Sequence, residues 1–242
     1  RHLFQLSGVP IQGKSTIAYV VVSIKNLAKN TTIVEDFSFV RYVVPNMLGI
    51  FLDLETTGLD PFHHRVVDLA CVIVDLASGE EKASYQTLVQ QTESVWKIQD
   101  PASQAIHGLT AEKLAQGKSE EQVRQEIITL FTSFGVSRSS ALFICQNPSF
   151  DRGFFGQIVD PYSQENLHWP YHWLDLASMY WVKRIEELRA KQKSLTTLPL
   201  LSKNAIAAHF GLPPEPLPHA AINGVRHLLL CYSKTVGFFS HL

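Results

Sequence analysis

Asp53 and Glu55 stand two residues apart inside the apolar run Phe51-Leu52-Asp53-Leu54-Glu55. On a strand, residues i and i+2 point to the same face, so both carboxylates leave together. Two carboxylates emerging side by side from an apolar strand repel each other. A divalent cation removes that repulsion, and hard carboxylate oxygens suit Mg2+ or Mn2+. Thr56 and Thr57 follow with hydroxyls and backbone N–H groups, and Gly58 permits a tight turn close to a phosphate. A strand end carrying two solvated acids is the plainer account, and on charge alone the two weigh evenly.

Three further segments follow in order: Ile106-His107-Gly108-Leu109-Thr110, then Asn147-Pro148-Ser149-Phe150-Asp151 after the apolar stretch Ala141–Cys145, then Pro218-His219-Ala220-Ala221 opening a final helix. With the run Phe51–Pro61, this ordered set resembles the DEDDh (DnaQ-like) 3′→5′ exonuclease family. The resemblance covers Leu48 to about Val236. It implies a ribonuclease H-like fold, with Asp53, Glu55 and Asp151 as ligands of two Mg2+ or Mn2+ ions and His219 as general base. It places Thr56, Thr57, Gly58, His107, Asn147 and Phe150 against the substrate. The implied partner is the 3′ end of a single-stranded nucleic acid, DNA or short RNA, released as nucleoside 5′-monophosphates. A DNA polymerase subunit and a second copy of the chain are further partners that the resemblance suggests.

One expected residue is missing. The family places an Asp five residues after its His, and here that position is Gly224, preceded by Asn223. Glycine has no ligating side chain. Asn223 offers a neutral carbonyl oxygen only if the helix register shifts by one. Losing one carboxylate weakens the hold on a metal ion. Three outcomes follow: an exonuclease with impaired hydrolysis, or one that binds metal only with substrate present; an exonuclease in which another acid substitutes from elsewhere in the fold; or, as the rival, a nucleic-acid-binding or polymerase-associated domain whose metal site has decayed.

Other signals carry less. Gly8–Ser15 matches G-x-x-x-x-G-K-[ST] after a short β-like run, Leu3 to Leu6, and before a helix-like run. A phosphate loop also needs several βα units, which do not fit before Met47. His63-His64 reads as an exposed loop pair. Trp169, Tyr171, Trp173, Tyr180 and Trp181 could stack on bases, but their spacing fits ordinary packing better. Lys183, Arg184, Arg189, Lys191 and Lys193 share their helix with Glu186 and Glu187, which reads as a solvated face.

The elements that must position these residues are legible. Strands are expected over Leu48–Leu54, Arg65–Leu76, Ser84–Val89 and Ala141–Cys145. Helices are expected over Pro101–Gly108, Ser119–Phe134, Phe150–Val159, Leu201–Phe210 and Ala220–Val236, with Trp173–Leu188 starting extended and ending helical. Three strands in succession, then helices alternating with extended segments, make an α/β fold: a mixed sheet flanked by helices. Residues 1–46 form an N-terminal extension of unknown role, and 47–242 the exonuclease-like domain. The 242 residues are 45% hydrophobic and 18% charged, enough for a sizeable core. A net charge of −1 excludes a protein that grips long duplexes by charge alone. Cys71, Cys145 and Cys231 read as buried free thiols, and without an apolar run of membrane-spanning length the default expectation is a cytoplasmic protein.

Overall fold

The structure, a computed structural model, describes residues 47–194 and 198–238 together with two short strands nearer the N-terminus. The chain divides into two compact units, Arg1–Asn46 and Met47–Leu242. In the first, β1 (Ile17–Val20) pairs antiparallel with β2 (Val40–Val43), Ile17 opposite Val43. Gly8–Ser15 and Leu3–Leu6 lie outside the described residues. The segment just after Ser15 is a strand, where a phosphate loop requires a helix.

The second unit is built on a five-stranded sheet. Its strands are β3 (Leu48–Thr56), β4 (Val66–Asp75), β5 (Glu81–Leu88), β6 (Ala141–Cys145) and β7 (Trp173–Asp175). Their spatial order is β5-β4-β3-β6-β7. The first three form an antiparallel meander, while β6 pairs parallel to β3 and β7 parallel to β6. The mixed sheet agrees with the expected fold class. The central strands β3 and β4 are apolar on both faces because both faces are covered.

The helices are α1 (Glu93–Lys97), α2 (Pro101–His107), α3 (Ala111–Leu114), α4 (Glu120–Ser133), α5 (Pro148–Ile158), α6 (Pro161–Asn166), α7 (Leu176–Ala190), α8 (Lys203–His209) and α9 (Ala221–Thr235). The short helices α1, α3 and α6 escape sequence reading because one or two turns show no periodicity. Helix α4 begins where expected: Ser119 and Gln122 cap each other reciprocally. Its buried face, Val123, Ile127 and Phe131, packs with Phe154 and Phe155 of α5 against Ile50, Leu52 and Leu54 of β3. On the other side, Phe51 meets Leu176 and Tyr180 of α7, Ile206 of α8, and Val225 and Leu228 of α9. Strand alternation thus sends Asp53 and Glu55 toward the α8–α9 face, where Phe51 also points.

The aromatic residues mostly pack inward. Trp173 stacks on Phe143 at 4.0 Å between ring centres, Trp169 sits 4.9 Å from Phe131, and Tyr180 is buried. All three cysteines are free and buried. Among the described residues no helix is long and apolar enough to cross a membrane.

Candidate functional site

The site is assembled at the end of β3, between α5, α8 and α9. Asp151, on the first turn of α5, is buried and lies close enough to Asp53 and Glu55 that their charges act on it. Burial, then the Asp53 charge, pushes its carboxyl well up from the ordinary range. Glu55 is pushed up to about 8, first by burial and then by Asp53. Burial also raises Asp53, opposed by an ammonium beside it.

That ammonium belongs to Lys203, the first residue of α8, which sequence reading did not single out. Its Nζ lies 3.0 Å from Asp53 Oδ1 and 3.1 Å from Oε2 of Glu215. Side-chain exposure is 14% for Lys203, 14% for Asp53 and 3% for Glu215. Burial alone pulls an ammonium down, but Asp53 and Glu215 together outweigh it and raise Lys203. Glu215 was also missed. It lies in an irregular segment rich in proline, outside any helix or strand, so no periodic pattern marks it. Its other neighbours are His219 Nδ1 and His227 Nδ1, each at 3.9 Å.

Helix α9 has no side-chain cap of its own at Ala220. The buried Asp68 of β4 supplies one: the Ala221 N–H donates to its Oδ2 at 2.9 Å. His219, just ahead, is tied to α2, its N–H donating to the Ile106 carbonyl at 3.0 Å. The same α2 carries His107, whose buried ring accepts at Nδ1 from the Leu109 N–H (3.0 Å) and fixes the left-handed turn at Gly108. His107 therefore shapes the turn that holds His219.

The residues expected against a substrate divide. Asn147 is exposed at the start of α5 in a left-handed conformation, and Phe150 is half-buried against Phe154. Thr56 and Thr57 are buried and use their hydroxyls within the loop: Thr56 donates to the Gly58 carbonyl, and Thr57 accepts from the Arg65 N–H. Gly58 sits against the His64 ring, where a Cβ would come within 2.5 Å. His64 thus closes the loop from inside, while the exposed His63 pairs with Asp60.

Gly224 faces Asp53 directly. A Cβ built there would stand 1.9 Å from Asp53 Oδ2 and 3.0 Å from Lys203 Nζ. Asn223 is one residue earlier on α9 and half-buried; the position that faces Asp53 is 224, so the register shift that Asn223 would need is not present.

Residues 50–226 match the family described as exonuclease, RNase T. The chain belongs to that exonuclease family, of DEDDh (DnaQ-like) type. It is 23% identical over 209 residues to a PolC-type DNA polymerase III of Thermotoga petrophila, covering 86% of this chain and 13% of that one. It is 30% identical over 112 residues to an oligoribonuclease of Azoarcus, covering 44% and 61% respectively. Among solved structures, E. coli Exonuclease I in complex with a dT13 oligonucleotide superposes with TM-score 0.61 at 19% identity, covering 78% of this chain and 41% of that one. The chain spans less than two thirds of the length of these relatives.

The exonuclease family generally works with divalent metal ions, so the donor set can be tested against them. Among the described residues, no three His, Cys, Asp or Glu side chains converge to hold a metal ion. Asp53 is engaged by an ammonium, and the residue facing it has no side chain. As they stand, these residues do not fit the two-ion site that the family resemblance implied.

Proposed function

We propose that this exonuclease-family chain receives the 3′ end of a single-stranded DNA or short RNA beside Asp53, Glu55, Asp151 and His219, and that its hydrolysis of the terminal phosphodiester to a nucleoside 5′-monophosphate is severely impaired. One observation carries the reading: glycine, with no carboxylate, faces Asp53 on α9. The substrate class is supported by relatives whose names specify oligoribonuclease activity or a bound oligonucleotide. The PolC-type relative favours a DNA polymerase as an associated partner.

His219 is the side chain we assign to take a proton from water, the role imidazole most often fills in general-base catalysis. Its backbone is held by α2, and Glu215 flanks its Nδ1. Asp53 is engaged by Lys203 and has little charge to offer a second cation. Taken to its limit, the same geometry gives the second reading, a domain that binds 3′ ends without cutting them.

The test uses a labelled single strand, with anisotropy for binding in EDTA and product analysis with Mn2+ or Mg2+. Binding is expected, with mononucleotide release about a thousandfold or more below that of a family exonuclease bearing all four acids. Rapid release that Asp53→Ala abolishes would overturn the impairment, and absence of binding would overturn the choice of ligand.

A further inference from the structure

We infer that Lys203 and Gly224 form a single exchange: an ammonium on α8 takes the space and charge of a bound divalent cation, and glycine on α9 is the residue that makes room for the Asp53 carboxylate in the position where this ammonium holds it. This rests on the proposed reading of the site as an altered exonuclease centre and identifies what replaced the metal.

Three observations converge. Lys203 reaches the Asp53 carboxylate at 3.0 Å and Glu215 at 3.1 Å, so one cation bridges two acids that would otherwise repel. Any side chain at position 224 would collide with this pair, since its Cβ would fall 1.9 Å from Asp53 Oδ2 and 3.0 Å from Lys203 Nζ. The Lys203 backbone is also anchored: Ser202 caps α8 by accepting from the Ala205 N–H, and the Cys231 thiol of α9 donates to the Lys203 carbonyl at 3.8 Å. The ammonium thus comes from a fixed helix start that packs on the helix carrying Gly224.

The consequence is exclusion. A divalent ion seeking Asp53 must expel a buried ammonium already paired with Asp53 and Glu215, and it finds no carboxylate at position 224 in return. Glycine and lysine depend on each other. Restoring aspartate at 224 alone drives it into the pair, and removing Lys203 alone frees Asp53 without supplying the missing ligand.

The exchange is tested on the full chain by Mn2+ titration, with free Mn2+ followed by electron paramagnetic resonance. Wild type and Gly224→Asp should leave the free-ion signal undiminished. The double variant Lys203→Met/Gly224→Asp should bind Mn2+ about a hundredfold or more tighter than wild type, with Lys203→Met in between. Folding is checked by circular dichroism. A folded double variant that binds no better than wild type overturns the inference. Should that variant fail to fold, wild type decides alone: Mn2+ must leave the amide resonances of Asp53 and Gly224 unbroadened, and selective broadening there overturns the exchange. Nucleic-acid binding in EDTA is a separate readout. Its absence defeats the proposed function and leaves the metal result standing.

Discussion

Lys203 is the residue on which the charges of the site turn. Replacing it with Met leaves Asp53 and Glu215 buried without their cation, a loss of about 3–5 kcal/mol for a broken buried pair. Burial holds the Asp53 carboxyl above its ordinary range in the folded chain, and without Lys203 nothing opposes that rise, so the loss should be largest near pH 8 and smaller near pH 5. Denaturant titrations at both pH values check this, and a loss independent of pH would oppose it. Glu55 gives a second pH dependence with the same sign. It binds its proton up to about 8 in the folded chain, against an ordinary 4.5. Stability supplied by the protonated carboxyl is complete below about 4.5 and falls as pH rises toward 8. Glu55→Gln should flatten that slope and stabilise the protein by about 1 kcal/mol or more at pH 8, as thermal unfolding across pH would show. Sequence spacing was enough to read Asp53 and Glu55 as neighbours, because strand alternation fixes their direction. Lys203 and Glu215 were invisible to it. Lys203 meets Asp53 150 positions away, Glu215 joins them across an irregular segment that shows no periodicity, and a helix-start lysine or a glutamate among prolines is ordinary in isolation.

At the scale of elements, α9 is positioned from outside itself. Asp68 on β4 caps its first turn, and α2 holds His219 through the Ile106 carbonyl. Asp68→Ala should cost about 1–2 kcal/mol through the lost cap. It should also loosen the start of α9, seen as faster amide exchange at Ala221 and Ile222 than in α4. Equal protection in variant and wild type would show that packing alone holds the helix start. The long elements were legible because their signals are local: alternation in β3, an apolar continuum in β4, an apolar face at helical spacing behind an acidic first turn in α4. The cap of α9 was not, since its acceptor lies 153 positions away in sequence. Nor was the inward turn of the Thr56 and Thr57 hydroxyls, which depends on how the loop folds back to Arg65.

For the whole molecule the question is what force could hold a nucleic acid. The chain carries a net charge of −1. In the site, the Lys203 ammonium stands among Asp53, Glu55, Asp151 and Glu215, already paired with two of them. A phosphate entering without metal therefore finds no surplus positive charge, and counterion release contributes little. Contacts with bases must supply the affinity. The loop leaving β3 beside Glu55 offers them: Phe62 is 87% exposed and Leu59 73%, and Gln157 of α5 braces the loop by donating to the Pro61 carbonyl. Stacking of a base on such a ring contributes about 1–3 kcal/mol and depends little on salt. Binding of a short single strand should then weaken only gently with salt, with a log–log slope shallower than about −2, where a phosphate-gripping protein shows a much steeper one. Phe62→Ala should cut affinity by about tenfold or more and leave that slope unchanged. Anisotropy titrations over a salt series measure both. A steep slope, or a Phe62→Ala variant that binds as wild type does, would move the interface away from this loop.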